Sequence, residues 1–79
     1  DTVGWIYLQA GDKIDALYLL EKASAALKDI SEVSYHLGMA YLANGRDFEA
    51  QKALEKAVKG NEYVGKDEAE AALKKLVAK

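Results

Sequence analysis

Leu37-Gly38-Met39-Ala40-Tyr41, followed by Gly45 and Ala50, is the stretch of sequence that decides the fold. The same pattern occurs 34 residues earlier as Val3-Gly4-Trp5-Ile6-Tyr7, followed by Gly11 and Ala16. When residues 3–27 are laid over 37–61, nine of the 25 positions are identical: Gly4/Gly38, Tyr7/Tyr41, Leu8/Leu42, Gly11/Gly45, Ala16/Ala50, Leu20/Leu54, Glu21/Glu55, Lys22/Lys56 and Ala23/Ala57. Unrelated sequences would share roughly one or two, so the chain contains an internal repeat.

The composition favours a helical globular chain and excludes several classes of function. Of the 79 residues, 51% are hydrophobic and 30% are charged, and there is neither proline nor cysteine, which is typical of a folded, helix-rich domain. Without cysteine there is no disulfide framework and no thiolate. The net charge of −2 gives no general attraction to nucleic acid or anionic lipid. We therefore expect no nucleic-acid partner. No apolar run approaches the ~18 residues of a membrane span, so we also expect no membrane insertion.

The chain breakers and the apolar spacing predict five helices. Gly11 and Gly45 interrupt the pattern at equivalent places, which predicts the short turns of two helical hairpins. Asp29 or Ser31 is placed to cap the third helix. The first two predicted helices cover residues 2–10 and 14–27. The third ends near residue 44, and the last two cover residues 48–59 and 67–78.

Small residues at the repeated positions predict that the two helices of a hairpin cross closely. Gly38 lies on the inner face of its helix, and Ala50 and Ala57 lie on the facing helix. A glycine inside a helix costs up to about 1 kcal/mol relative to alanine. Its presence there therefore indicates that the partner helix approaches at this point, with Tyr41 and Leu54 filling the space around the contact.

These residues resemble the tetratricopeptide repeat (TPR), whose 34-residue pattern is Trp-x2-Leu-Gly-x2-Tyr, then Ala-x3-Phe, then Pro. The second copy reads Ser34-x2-Leu37-Gly38-x2-Tyr41 with Ala50-x3-Leu54, and the first reads Val3-Gly4-x2-Tyr7 with Ala16-x3-Leu20. Ser34 replaces the aromatic residue, and both copies lack the terminal proline. The resemblance covers nearly the whole chain and implies an all-α, TPR-like helical-repeat solenoid. Residues 1–5 and 35–38 also resemble the closing repeats of long bacterial TPR proteins.

The repeat register divides the chain into two helix pairs and a final helix. Residues 1–30 form a first repeat truncated at its N-terminus, 31–64 form the second repeat, and 65–79 form a capping helix. The last helix has one apolar stripe, as expected of an element that closes an array: Ala69, Ala72, Leu73, Leu76 and Val77. At the other end, the bulky run 5–8 predicts an apolar surface without a neighbour. We therefore expect the C-terminal part of a longer array.

No group of residues has the composition of a catalytic, cofactor or metal site. His36 is the only histidine, and without a cysteine or a second histidine beside it, it is expected to pack at a surface or helix edge. Asp12, Asp15, Asp47 and Glu49 fall in turns and first helical turns, where carboxylates are common for capping and dipole reasons. We expect neither an enzyme nor a bound cofactor.

The TPR resemblance implies a surface that binds a protein or peptide partner. The first helix of each TPR lines a concave groove, and the corresponding positions here are Trp5, Leu8, Gln9, Glu32, Tyr35, Met39, Leu42 and Ala43. Leu73 and Leu76 are expected to close the end of this groove. The alternative for Leu8, Leu42, Leu73 and Leu76 is that they pack in the inter-helix core. The apolar members favour an apolar helix or an extended peptide. The family's chaperone-tail binders carry Lys and Asn where this chain has Asp1 and Trp5, or Tyr35 and Met39, so that carboxylate clamp is absent.

A different interpretation needs no peptide ligand. The chain would then be a structural terminal module of a repeat array that self-associates through its apolar edges, giving a homo-oligomer.

Overall fold

The computed structural model describes residues 2–27 and 30–78, and this part of the chain contains five helices and no strand. The helices are α1 (Thr2–Gln9), α2 (Lys13–Ala26), α3 (Ser31–Ala43), α4 (Asp47–Val58) and α5 (Lys66–Val77). The all-α prediction is confirmed. Apart from the start of α3, the observed ends lie within one residue of the predicted ones, because the apolar period and the glycines mark them locally.

The start of α3 differs from the prediction. Its N-cap residue is Ile30, in an extended conformation and without a side-chain cap, so Ser31 is the first helical residue rather than the cap. Asp29, the other predicted cap, lies outside the described residues. The amides of Val33 and Ser34 donate to the Ile30 carbonyl at 3.1 and 3.2 Å. Since both residues are buried, packing holds this end of the helix in place of a cap.

The two hairpin turns have the same geometry. Gly11 and Gly45 adopt the left-handed conformation, with φ of 92° and 75°, which glycine reaches without the steric cost of a Cβ. The amide of Gly11 donates to the carbonyl of Leu8, and that of Gly45 donates to Leu42, both at 3.1 Å. The sequence repeat is therefore also a structural repeat at the level of the turn.

The predicted close crossing is present in both hairpins. A Cβ placed on Gly38 would lie 2.7 Å from Cγ of Leu54, and one placed on Gly4 would lie 2.8 Å from Cγ of Leu20. Both leucines are completely buried. Each glycine thus lets a leucine of the second helix pack directly against the backbone of the first.

Helix α3 has neighbours on two sides. On one side Ala40 packs with Leu17 and Leu20 of α2, and the partly buried Leu8, Leu37 and Tyr41 surround this cluster. On the other side Tyr35 packs with Leu54 and Ala57 of α4 and Ala69 of α5. Contacts between successive helices, together with a contact between α3 and α5, join the five helices.

The segment between α4 and α5 is anchored by side chains. The Tyr63 hydroxyl donates to the carbonyl of Ala57 at 2.9 Å, and Nζ of Lys66 donates to the carbonyl of Gly60 at 2.7 Å. Helix α5 then packs through most of its predicted stripe, namely Ala69, Ala72, Leu73 and Leu76. Val77 is the exception: it is 60% exposed, because it lies at the last residue of the helix.

Candidate functional site

Two neighbouring hollows lie on the surface formed by α1, α3 and α5. The first, called here the acidic hollow, has a volume of about 480 Å³. It is lined by Trp5, Gln9, Glu32, Tyr35, His36, Val64, Gly65 and Glu68. Two of its lining residues are glutamates, and none of the described residues that line it is a lysine or an arginine.

An aromatic cluster forms the wall of the acidic hollow. The indole of Trp5 stacks on the imidazole of His36, with centroids 4.2 Å apart and planes inclined by 12°. The ring of Tyr35 lies 5.5 Å from Trp5 and 6.3 Å from Tyr63, in both cases tilted. Such tilted and offset arrangements are the favourable ones for aromatic pairs. The cluster joins α1, α3 and the segment before α5, so the shape of the hollow depends on all three.

Gly65 permits the close approach of this segment to α3. It has φ of 101°, and a Cβ at this position would run into the ring of Tyr35. Gly65 is also the N-cap residue of α5. One glycine therefore both starts the last helix and makes room for the aromatic ring.

The two glutamates act electrostatically on the wall of the hollow. Burial raises the pKa of Tyr35, and the negative charge of Glu68 raises it further. Burial lowers the pKa of His36, while the charge of Glu32 opposes that shift. Negative potential from two helices therefore reaches the rings that line the hollow.

The second hollow, called here the apolar hollow, lies between α3 and α5 and has a volume of about 440 Å³. Its apolar lining consists of Met39, Leu42, Ala71, Ala72 and Leu76. The charged residues Glu68 and Lys75 complete it. Glu68 lines both hollows, so the two hollows adjoin at this residue.

The predicted partner-binding residues divide between the two hollows. The acidic hollow contains Trp5, Gln9, Glu32 and Tyr35, and the apolar hollow contains Met39 and Leu42. Ala43 is exposed and lines neither. It is the last residue of α3.

Several of these residues also belong to the core. Tyr35 is only 6% exposed and lies at the centre of the cluster between α3, α4 and α5. Met39, Leu42, Leu73 and Leu76 are partly buried against the same cluster. Leu42 and Leu76 therefore both pack against this cluster and line the apolar hollow, while their part in partner binding stays a prediction.

His36 was expected at a surface or helix edge, but it is 6% exposed and stacked on Trp5. Sequence reasoning also missed Val64, Gly65, Glu68, Ala71 and Lys75. A glycine directly before a helix was a usable signal for Gly65 as a helix start. Nothing local marks Glu68, because its place beside Trp5 depends on how α5 returns across α3.

Neither a metal site nor a membrane span is found among the described residues. Among the described residues, no group of three or more His, Asp or Glu side chains is arranged to hold a metal ion. None of the described helices is both long enough and apolar enough to cross a membrane. What the site offers is exposed apolar surface, aromatic rings and carboxylates.

Comparison of the chain with protein-family models, with curated proteins and with solved structures finds no match.

Proposed function

We propose that this chain is a protein-interaction module that binds an apolar helix or extended segment of a partner over the apolar hollow. The observation that supports this most directly is the composition of that hollow, which is lined by apolar side chains from two helices yet open to solvent. Its volume of about 440 Å³ falls within the range of roughly 300–1,000 Å³ found for binding clefts. Met39 supplies a flexible, polarizable side chain of the kind that adapts to different apolar ligands.

We infer in addition that the architecture is a TPR-like solenoid segment. The 34-residue period, the matching glycine turns and the matching glycine–leucine crossings support this. In such a segment α1 and α3 would line the same surface, which agrees with the position of Trp5 and Tyr35 around one hollow.

The binding proposal can be tested with a display library of helical peptides that is selected against the intact chain. Ala71→Glu places a carboxylate in the apolar hollow at an exposed position of α5, so it should leave the helical circular dichroism and the unfolding midpoint nearly unchanged. We expect it to weaken the selected peptides by about tenfold or more, because a charge would be desolvated against apolar side chains.

Ala43→Glu is the matched control. It changes the net charge by the same amount at another exposed alanine, one that lines neither hollow. Equal effects of the two substitutions would contradict binding at the apolar hollow. A selection that yields no peptide at all would contradict the proposed function.

A second candidate function is structural, and a specific surface favours it. Val3, Ile6 and Tyr7, called here the N-terminal face, are 57%, 58% and 40% exposed. Their repeat equivalents on α3 are covered by α2: Leu37, Ala40 and Tyr41. The Tyr41 hydroxyl also donates to Oε2 of Glu21 at 2.8 Å. The N-terminal face thus has the chemistry of a helix–helix interface, and two copies of the chain could pair through it.

Light scattering over a range of concentrations distinguishes this candidate from the first. Self-association through the N-terminal face should give a mass that rises with concentration and returns to the monomer value in Ile6→Glu. Phe48→Glu is the control, since Phe48 is 70% exposed but lies on α4. A monomer at every concentration would refute self-association and leave the apolar hollow as the functional surface.

A further inference from the structure

We propose that the acidic hollow receives a lysine or arginine side chain of the same partner whose apolar side chain occupies the apolar hollow. This deepens the proposed function and rests on it, because it specifies the chemistry of the partner segment: a basic residue close to an apolar one.

The side chains of the two glutamates of the acidic hollow, Glu32 and Glu68, have no direct ion-pair or hydrogen-bond partner among the described residues. Four other glutamates do have such partners: Glu21 with Tyr41, Glu49 with Arg46, Glu55 with Gln51 and Glu62 with Lys66. Glu70, outside both hollows, has no such partner either, so it is the position of Glu32 and Glu68 in the lining of the hollow that directs their charge towards a ligand.

These carboxylates are combined with aromatic rings. Trp5 lines the same hollow and is only partly buried, and the face of an aromatic ring attracts a cation through its quadrupole. A lysine or arginine side chain also has an aliphatic stem that packs on apolar surface while its charged end reaches a carboxylate. Carboxylates and rings together thus fit a basic side chain better than an uncharged one, and they repel an anionic one.

The acidic hollow adjoins the apolar hollow. Glu68 lines both hollows, so the two side chains of the partner must lie close together. Residues three or four apart on a helix meet this requirement, since their side chains are neighbours on one face. The partner we infer is an amphipathic helix that presents an apolar residue and a basic residue one turn apart.

The test is a selection from a display library of helical peptides in which the positions of one face are randomised, carried out against the intact 79-residue chain. We expect lysine or arginine to be enriched one turn from an apolar residue. A synthetic peptide from this selection should bind about tenfold more tightly than the same peptide with its basic residue changed to glutamine. Because Trp5 is the only tryptophan and lines the hollow, its fluorescence can report the binding.

Variants of the chain then test whether the preference for a basic residue in the peptide comes from the acidic hollow. The double variant Glu32→Gln/Glu68→Gln should lose the tenfold difference between the two peptides. The control Glu55→Gln/Glu70→Gln removes the same charge from exposed positions of α4 and α5 outside both hollows and should retain the difference. Circular dichroism checks that both double variants remain folded.

The outcomes separate this inference from the proposed function. If the selected peptides carry apolar residues without enrichment of basic ones, or if the Lys and Gln peptides bind equally, the cation site is refuted while the apolar docking site stands. A preference that survives in Glu32→Gln/Glu68→Gln also refutes the cation site. If the selection yields no binding peptide, both fail together.

Discussion

Replacing Gly38 by alanine tests the packing arrangement on which the fold depends. The new methyl group would lie 2.7 and 2.8 Å from Cγ and Cδ2 of Leu54 and 3.4 Å from its backbone nitrogen. Leu54 is completely buried, and Cγ is the branch point of its side chain, so the contact cannot be relieved by rotating a chain end. Relief requires α3 and α4 to move apart.

Two opposing energies set how much Gly38→Ala changes the free energy of unfolding. Alanine is favoured over glycine inside a helix by about 1 kcal/mol. Forcing an additional methyl group into a well-packed core costs about 1–3 kcal/mol, and we expect the upper half of that range because the atoms that must move belong to a buried branch point and a backbone. The net expectation is a loss of about 1–2 kcal/mol in the free energy of unfolding, or roughly 4–16 °C in Tm for a chain of this size.

The assay is urea unfolding followed by helical circular dichroism. Ala71→Gly, at an exposed position inside α5, measures the helix propensity difference in the same protein. Leu54→Ala removes the side chain with which the new methyl group collides. In that background Gly38→Ala should raise the free energy of unfolding, by about the amount by which Ala71→Gly lowers it. If Gly38→Ala stabilises the chain with Leu54 in place, the close crossing does not require glycine and the reasoning is refuted.

Two further predictions concern two glycines with positive φ and the hydroxyl group of Tyr41. Gly45→Ala introduces only backbone strain, since φ is 75° and nothing lies near the added carbon, and it should lower the free energy of unfolding by about 1–2 kcal/mol. Gly65→Ala adds a clash with the Tyr35 ring and should lower the free energy of unfolding clearly more in the same urea titration. Equal losses for the two substitutions would contradict the contact between Gly65 and the ring. Burial and the hydrogen bond to Glu21 raise the pKa of Tyr41 from 10.0 to about 12. The neutral phenol is therefore favoured in the folded state. Its contribution to the free energy of unfolding is fully present below pH 10 and is lost as the pH rises towards 12. Tyr41→Phe should make unfolding free energy less dependent on pH in that window, and an unchanged slope would argue against this hydrogen bond.

Much of the fold could be predicted because its determinants are local. The 3.6-residue apolar period defines each helix, and Gly11 and Gly45 mark the turns because a left-handed conformation depends only on the residue that adopts it. The repeat added one piece of non-local information. It placed Gly38 opposite Leu54, and the same pairing recurs between Gly4 and Leu20.

The start of α3 shows where local rules fail. Ser31 and Asp29 have the right side chains for a cap, but the cap position belongs to Ile30. Val33 and Ser34 must be buried against the neighbouring helices, and this requirement sets the first helical residue. Tertiary packing outweighed a capping interaction that contributes only about 1 kcal/mol.

The sequence by itself determined the helices, the two equivalent hairpins and the set of aromatic and apolar side chains from which a binding surface could be made. Only the tertiary structure decided that this set forms two hollows, that Tyr35 and His36 are buried, and that Ala43 lines neither hollow. The reason is that each hollow is bounded by α5, whose path is fixed by the contacts of Tyr63 and Gly65. The approach of Glu68 to the hollow of Trp5 depends on the packing of three helices at once, and no pattern of neighbouring residues encodes it.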